Sequence, residues 1–287
     1  MDLTEYCRER VLVPGAPLTV FEHFLDRDYT ARLIPLRAML DKIATVPDEV
    51  SELAVGQAKL AWWLEEIARL QQGEPRHPAA RAVQDSGAMA GIVPEILTNL
   101  AQALVMQPDP FETTGQLLAH GQRVGGAVAR LEAALGGGDE PCTQAFASLG
   151  AARYLAGRLR RIPLDRKRGI RWLPLDLQAR FQISTSNQPA GTQQSEAWQG
   201  LIRELCQLAR QESRAGRAEL QPGLGAALPY LRIQHSLDER WLERVEARPE
   251  QLAGRPLQLG RFNMLLIAWR EARRARKELA GFDHAKS

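Results

Sequence analysis

The sequence predicts an all-α protein, because apolar residues recur at helical spacing along almost the whole of its 287 residues while runs alternating with period two are scarce. No internal repeat and no shift in composition forces a boundary, so residues 1–287 read as one domain. Leu60, Trp63, Leu64, Ile67 and Leu70 form one stripe, and Met89, Ile92, Val93, Ile96, Leu97, Leu100 and Leu104 form the next. Leu117, Val124, Val128, Leu131 and Leu135 mark a third helix, which Gly136, Gly137 and Gly138 stop by supplying a left-handed cap. A fourth begins near Pro141, carries Phe146, Leu149, Leu155, Leu159 and Ile162, and is expected to close at Pro163. The uncharged polar stretch at about 184–195 reads as a mobile surface loop. After it come a helix with Trp198, Leu201, Ile202, Leu205 and Leu208, and a last one opened by Phe262, Leu265, Leu266 and Trp269, whose end at about 270–287 is basic.

Composition narrows the function. A hydrophobic fraction of 45% with 25% charged residues is that of a protein with a sizeable core, and a net charge of +3 selects no partner by itself. Cys7, Cys142 and Cys206 lie far apart without a CxxC pair, which suits a reducing compartment and buried thiols. No apolar run reaches the ~20 residues of a membrane span, and the first residues lack a signal-peptide core, so the expected location is cytoplasmic, with membrane-peripheral contact left open. There is no GxSxG elbow, no metal spacing among the five histidines and no strand before the glycines of GGAVARLEAALGGG. Nucleic acid is not expected as a partner: aromatic residues are 6% of the chain, and the tryptophans fall on core-facing helical positions rather than among the cations.

The charge is concentrated instead in LRRIPLDRKRGIRWLPLDL, where Arg160, Arg161, Arg166, Lys167, Arg168 and Arg171 surround Asp165. Cations complement a helix C-terminus by about 0.3–1 kcal/mol each. That accounts for one or two arginines of the six cations. The rest point to an anion or to a solvated basic loop. The arginine-rich last helix likewise reads either as a solvated end or as a surface for anionic lipid.

Several patches, taken in order, resemble the squalene/phytoene synthase family, all-α enzymes that join two prenyl diphosphates. These are FLDRDYTARLIPLRAML, VPDEVSELAVGQAKLAWWLEEI, GEPRHPAARAV and LGAARYLAGRLRRIPLDRKRGIRWLPLDL, covering about the first 180 residues. The resemblance implies a helical bundle of the isoprenoid-synthase type with a central apolar cavity. It also implies magnesium, held by carboxylates on two facing helices, as the cofactor of an active enzyme. The positions matching the DDxxD motif read Pro47, Asp48, Glu49, Val50, Ser51, and those matching RDxxED read Arg160, Arg161, Ile162, Pro163, Leu164, Asp165. One carboxylate survives in place at each. The family's glutamine, asparagine and tyrosine fall near Tyr154, Gly157 and Ala119.

Asp48 and Glu52, four apart, would share a helix face and restore a carboxylate pair. Pro47 interrupts that turn, and Arg161 would set a cation where metal should lie. VPDEVSE, the Leu-Pro-Leu-Asp segment and LLIAWREAR are also similar to the family's noncatalytic branch, which includes a mitochondrial complex I assembly factor. The expectation is a noncatalytic protein with degenerate metal motifs that binds a prenyl diphosphate or isoprenoid lipid, or serves assembly with a protein partner. Arg160, Arg161, Arg168 and Arg171 would hold the anionic head, and Asp48, Glu52 and Asp165 would be remnants of the metal sites. The alternative is a divergent magnesium-dependent head-to-head prenyl transferase acting on farnesyl or geranylgeranyl diphosphate.

Overall fold

The computed structural model describes residues 2–50, 52–105, 110–137, 143–168, 172–183, 196–253 and 257–286, without the side chains at 47, 48, 53, 105, 143, 144, 166–168, 253, 283, 285 and 286. Among them there is no strand; the all-α expectation holds. The loop expected at 184–195 lies outside the described residues, as do Cys142, Arg171 and the Asp48 and Arg168 side chains.

Helix α1 (Leu3–Val11) starts where the Asp2 carboxylate accepts from the Thr4 and Glu5 amides, and α2 (Pro17–Phe21) opens on a proline preset for a first turn. Helix α3 (Arg27–Ala44) is capped by Asp26, which accepts from the Tyr29 amide. A short α4 (Val46–Glu49) follows, then α5 (Leu53–Gln71), α6 (Pro78–Asp85) and α7 (Pro94–Val105). The long antiparallel pair α8 (Thr114–Ala134) and α9 (Thr143–Arg168) leads to α10 (Leu175–Arg180), α11 (Glu196–Ala218), α12 (Ala227–Ala247) and α13 (Arg261–Lys286). The buried apolar residues form two clusters, and Tyr154 and Leu259 pack against both.

Glycine sets the central crossing. A Cβ on Gly125 would run into the Gly150 backbone, and one on Gly150 into Gly126, so α8 and α9 touch main chain to main chain. Side chains on a helix lean toward its N-terminus. On an antiparallel pair this tilts Glu132 of α8 and Arg153 of α9 toward each other.

Two expectations are corrected. Pro163 does not end its helix: α9 runs on to Arg168 with the proline inside it. A proline within a helix costs roughly 3 kcal/mol. Here Leu159 at 0% exposure and Ile162 at 2% are buried on the same stretch, and that apolar burial works against the cost. The stripe opening α13 is not a core face either, since Phe262, Leu265 and Trp269 are exposed while Met264, Ala268, Ala272 and Ala275 turn inward. The apolar run there is wider than a single face, and packing selected its other side.

Candidate functional site

A pocket of about 490 Å³ opens between α1, α3, α9 and α12, closed at one side by Leu257, Gln258, Leu259 and Met264. Each helix contributes residues at helical spacing: Arg37 and Asp41 from α3, Arg153, Gly157 and Arg160 from α9, and Tyr230, Gln234, Leu237 and Trp241 from α12. Arg10 and Val11 of α1 and Leu18 of α2 complete the wall. The pocket is therefore amphiphilic, lined by four arginines together with aliphatic and aromatic carbon.

The arginines are fixed from behind. Glu132, fully buried, accepts from Arg37 at 3.0 Å, from Arg153 at 2.6 Å and from the Tyr230 hydroxyl at 2.8 Å. Its backbone carbonyl accepts from the Tyr29 hydroxyl at 3.1 Å. Arg153 also donates to the Tyr230 oxygen at 3.2 Å, and Arg37 to Asp41 at 3.0 Å. Burial alone would raise the Glu132 carboxyl, but the Arg153 and Arg37 charges and the hydrogen bonds hold it below its ordinary range. Burial likewise works against charge on Arg153, and Glu132 outweighs it, so this guanidinium stays charged. Burial pushes the Tyr230 phenol up to about 12, which keeps it a donor.

Arg160 donates to Asp238 at 2.7 Å and stacks 4.5 Å over the Trp241 ring. A guanidinium has five N–H donors. Each of these arginines spends part of its fork on a carboxylate and retains side-chain exposure of 21% for Arg37, 20% for Arg153 and 33% for Arg160. Four arginines against Asp41, Glu132 and Asp238 leave one net positive charge at the pocket.

The structure distributes the residues singled out in the sequence. Arg160 lines the pocket. Arg161 instead lies 3.6 Å from Asp165, which also pairs with Arg158 at 3.1 Å, and Arg158 sits 5.5 Å over Trp172. Glu49 and Glu52 are exposed, and the chain turns extended at Val50 and Glu52, so Asp48 and Glu52 do not share one helix face. That corrects the restored-pair reading: Pro47 sits within the first turn of α4, where it is tolerated, and it is at Val50 that the chain leaves the helix before Glu52. Gly157, where the family's asparagine was matched, faces the pocket with nothing within 4 Å of a built Cβ. Tyr154 turns to His120, 5.3 Å between rings, and Ala119 is exposed. Among the described residues no three His, Cys, Asp or Glu side chains gather as a metal site.

Sequence reasoning missed Arg37, Arg153, Glu132 and Tyr230. The available signal was Glu132, the lone acid of α8, beside the apolar stripe of Leu131 and Leu135. The tryptophans were also misread, since Trp172 and Trp241 are buried and yet lie under arginines, while Trp62 and Trp269 are exposed.

A family model described as squalene/phytoene synthase matches residues 20–263. The chain belongs to this family. Squalene synthase HpnC from Alicyclobacillus acidocaldarius is similar in structure, with a TM-score of 0.70 at 19% identity over 88% of this chain and 95% of that one. A dehydrosqualene synthase in complex with ligand gives a TM-score of 0.70 at 17% identity, covering 98% of this chain and 97% of that one. YisP from Bacillus subtilis subsp. subtilis strain 168 gives 0.67 at 14% identity, covering 93% and 95%. A comparison with curated proteins finds no match. At these identities the likeness is one of fold, the isoprenoid-synthase helical fold.

Proposed function

We propose that the chain is a noncatalytic member of the squalene/phytoene synthase family that holds an isoprenoid amphiphile, its anionic head on Arg37, Arg153 and Arg160 and its tail on the apolar wall of the pocket. The observation that carries this reading is that α3 and α9 present arginines to the pocket. Guanidinium forks suit phosphate oxygens bidentately and need no bridging metal.

The donor set at the pocket does not suit magnesium, which asks for several unencumbered oxygens in near-octahedral array. Asp41 is held by Arg37, Glu132 by two arginines and Asp238 by Arg160, while Asp165 is buried between Arg158 and Arg161. What the residues can do is bind, orient and neutralise an anion. No step that ionises an allylic carbon is derived from them. The resemblance to the noncatalytic branch adds an assembly role with a protein partner to this reading, and the buried free thiols of Cys7 and Cys206 suit a cytoplasmic setting.

The second reading is a divergent magnesium-dependent prenyl transferase. The family match and the named activities of the similar structures, a squalene synthase and a dehydrosqualene synthase, favour it. Purified protein given farnesyl or geranylgeranyl diphosphate, with and without magnesium, separates the two. Binding without diphosphate release, weakened at least about tenfold by Arg153→Leu, is expected; an arginine–phosphate contact of about 1.5–3 kcal/mol supports that factor. Magnesium-dependent release of diphosphate would overturn the noncatalytic reading.

A further inference from the structure

The last helix carries a second surface, independent of what the pocket holds. Phe262 is 77% exposed, Leu265 43% and Trp269 48%, and at spacings of three and four they continue into Arg273 and Arg276 along one outer stripe of α13. The first half of this stripe is apolar and the second half basic. The Arg273 guanidinium lies 5.6 Å from the Trp269 ring centroid, joining the two halves. Beyond it, a cleft of about 500 Å³ lies between Phe24 and the side chains of Arg273, Arg276 and Lys277.

The acids of this helix are turned away. Glu271 is buried against Arg274 and Arg217, and Glu278 pairs with Arg232. Among the described residues, no carboxylate of α13 therefore faces the stripe. Three large apolar side chains left in water on two turns, with cations beside them and no acid among them, match the layering of a bilayer surface. Aromatic rings settle at headgroup depth while arginine and lysine reach lipid phosphates.

We propose that α13 docks this protein, lying flat, on an anionic lipid bilayer. Phe262, Leu265 and Trp269 enter the interface, and Arg273, Arg276 and Lys277 take the lipid phosphates. Charge complementarity selects an anionic bilayer over a neutral one. The apolar half selects it over nucleic acid, which would leave Phe262 and Leu265 without a partner. The docked turn also adjoins the arginine pocket, since Met264, between Phe262 and Leu265 in sequence, lines it.

The test is sedimentation of the full chain with vesicles of phosphatidylcholine alone and of phosphatidylcholine and phosphatidylglycerol in equal parts. Partition onto the anionic vesicles, falling as salt is raised, is expected. Arg273→Glu with Lys277→Glu should weaken it about tenfold or more, and Phe262→Ser with Trp269→Ser by a comparable factor. Arg214→Glu, an exposed cation of α11, should leave it within about twofold. All the changed residues are exposed, and an unaltered thermal melt shows that a variant has kept its fold.

Four results would overturn the proposal: no partition of the wild-type chain, equal partition onto neutral vesicles, equal partition of the variants, or a wild-type dimer that Trp269→Ser dissociates. Pyrophosphate calorimetry on Phe262→Ser with Trp269→Ser keeps the readings apart, because the pocket should bind unchanged when the membrane face is lost.

Discussion

Two buried carboxylates hold three arginines of α9 in different ways. Glu132 takes Arg153 together with Arg37 from α3, and Asp165 takes Arg158 and Arg161 from its own helix. Both acids are out of water, at 0% and 1% exposure, and each faces two guanidinium groups. Their surroundings differ. Behind Glu132 stand the hydroxyls of Tyr230 and Tyr29, and in front of its arginines lies the pocket. Around Asp165 the arginines lie against helix and ring, with Arg158 over Trp172, and neither lines the pocket. The same local chemistry thus makes a binding wall in one place and a clasp in the other. Clustering of arginine in sequence does not distinguish them; what the surplus donors face does.

The largest effect should come from breaking the first cluster. Glu132→Gln leaves Arg37 and Arg153 facing each other without their common counter-ion and is expected to lose about 4 kcal/mol, as removal of one partner from a buried charge pair does. It should also abolish pyrophosphate binding. A urea midpoint shift equivalent to less than about 1 kcal/mol would place the network near solvent instead. Asp165→Asn should lose about 3 kcal/mol by the same reasoning while leaving pyrophosphate affinity within about twofold, since the clasp does not face the pocket. Equal loss of binding in both variants would erase the distinction between the two regions.

Acid sharpens the comparison. Because Glu132 titrates below its ordinary range in the folded chain, its contribution is fully present above the unfolded carboxylate value and is lost as pH falls through the folded one. A second limb comes from His120, fully buried between Phe111 and Tyr154, where burial, with Arg123 and Arg158 adding to it, lowers the imidazole to about 4. The unfolded chain takes up that proton near pH 6.5, so this stability is complete above 6.5 and falls as pH drops from there toward 4. The loss is about 1 kcal/mol at pH 5.5. His120→Leu should flatten stability across this window in urea titrations, and an unchanged slope there would assign the limb to other groups. The smallest effect is Tyr230→Phe, about 1 kcal/mol for one hydrogen bond to a carboxylate still held by two arginines, read from the same unfolding curves.

Much of the fold was legible because a 3.6-residue apolar period is a local property. The stripes of Leu60 to Leu70 and Trp198 to Leu208 became the buried faces of α5 and α11. Family membership was legible for a related reason, since the order of short patches is read along the chain itself. The site was less so. Arg160 was readable as one of a cluster, but its neighbours Arg161 and Arg153 lie on opposite sides of the reading that sequence allowed. Arg161 joins the Asp165 clasp, and Arg153 joins residues 37, 132 and 230 from three other helices. The pairing of Asp48 with Glu52 failed because helical spacing has meaning only inside a helix, and the chain leaves one at Val50.

The sequence by itself determined that this chain is helical and that its cations concentrate in the second half of α9 and in α13. The tertiary structure decided which of those cations converge. Charge follows from residue type, but direction follows from helix phase and from the contact of Gly125 and Gly126 with Gly150, which lets α8 approach α9 closely enough for Glu132 to hold Arg153 at the pocket. It also decided that the apolar stripe of α13 faces outward, because a helix with apolar residues on more than one side is oriented by what the rest of the bundle can bury.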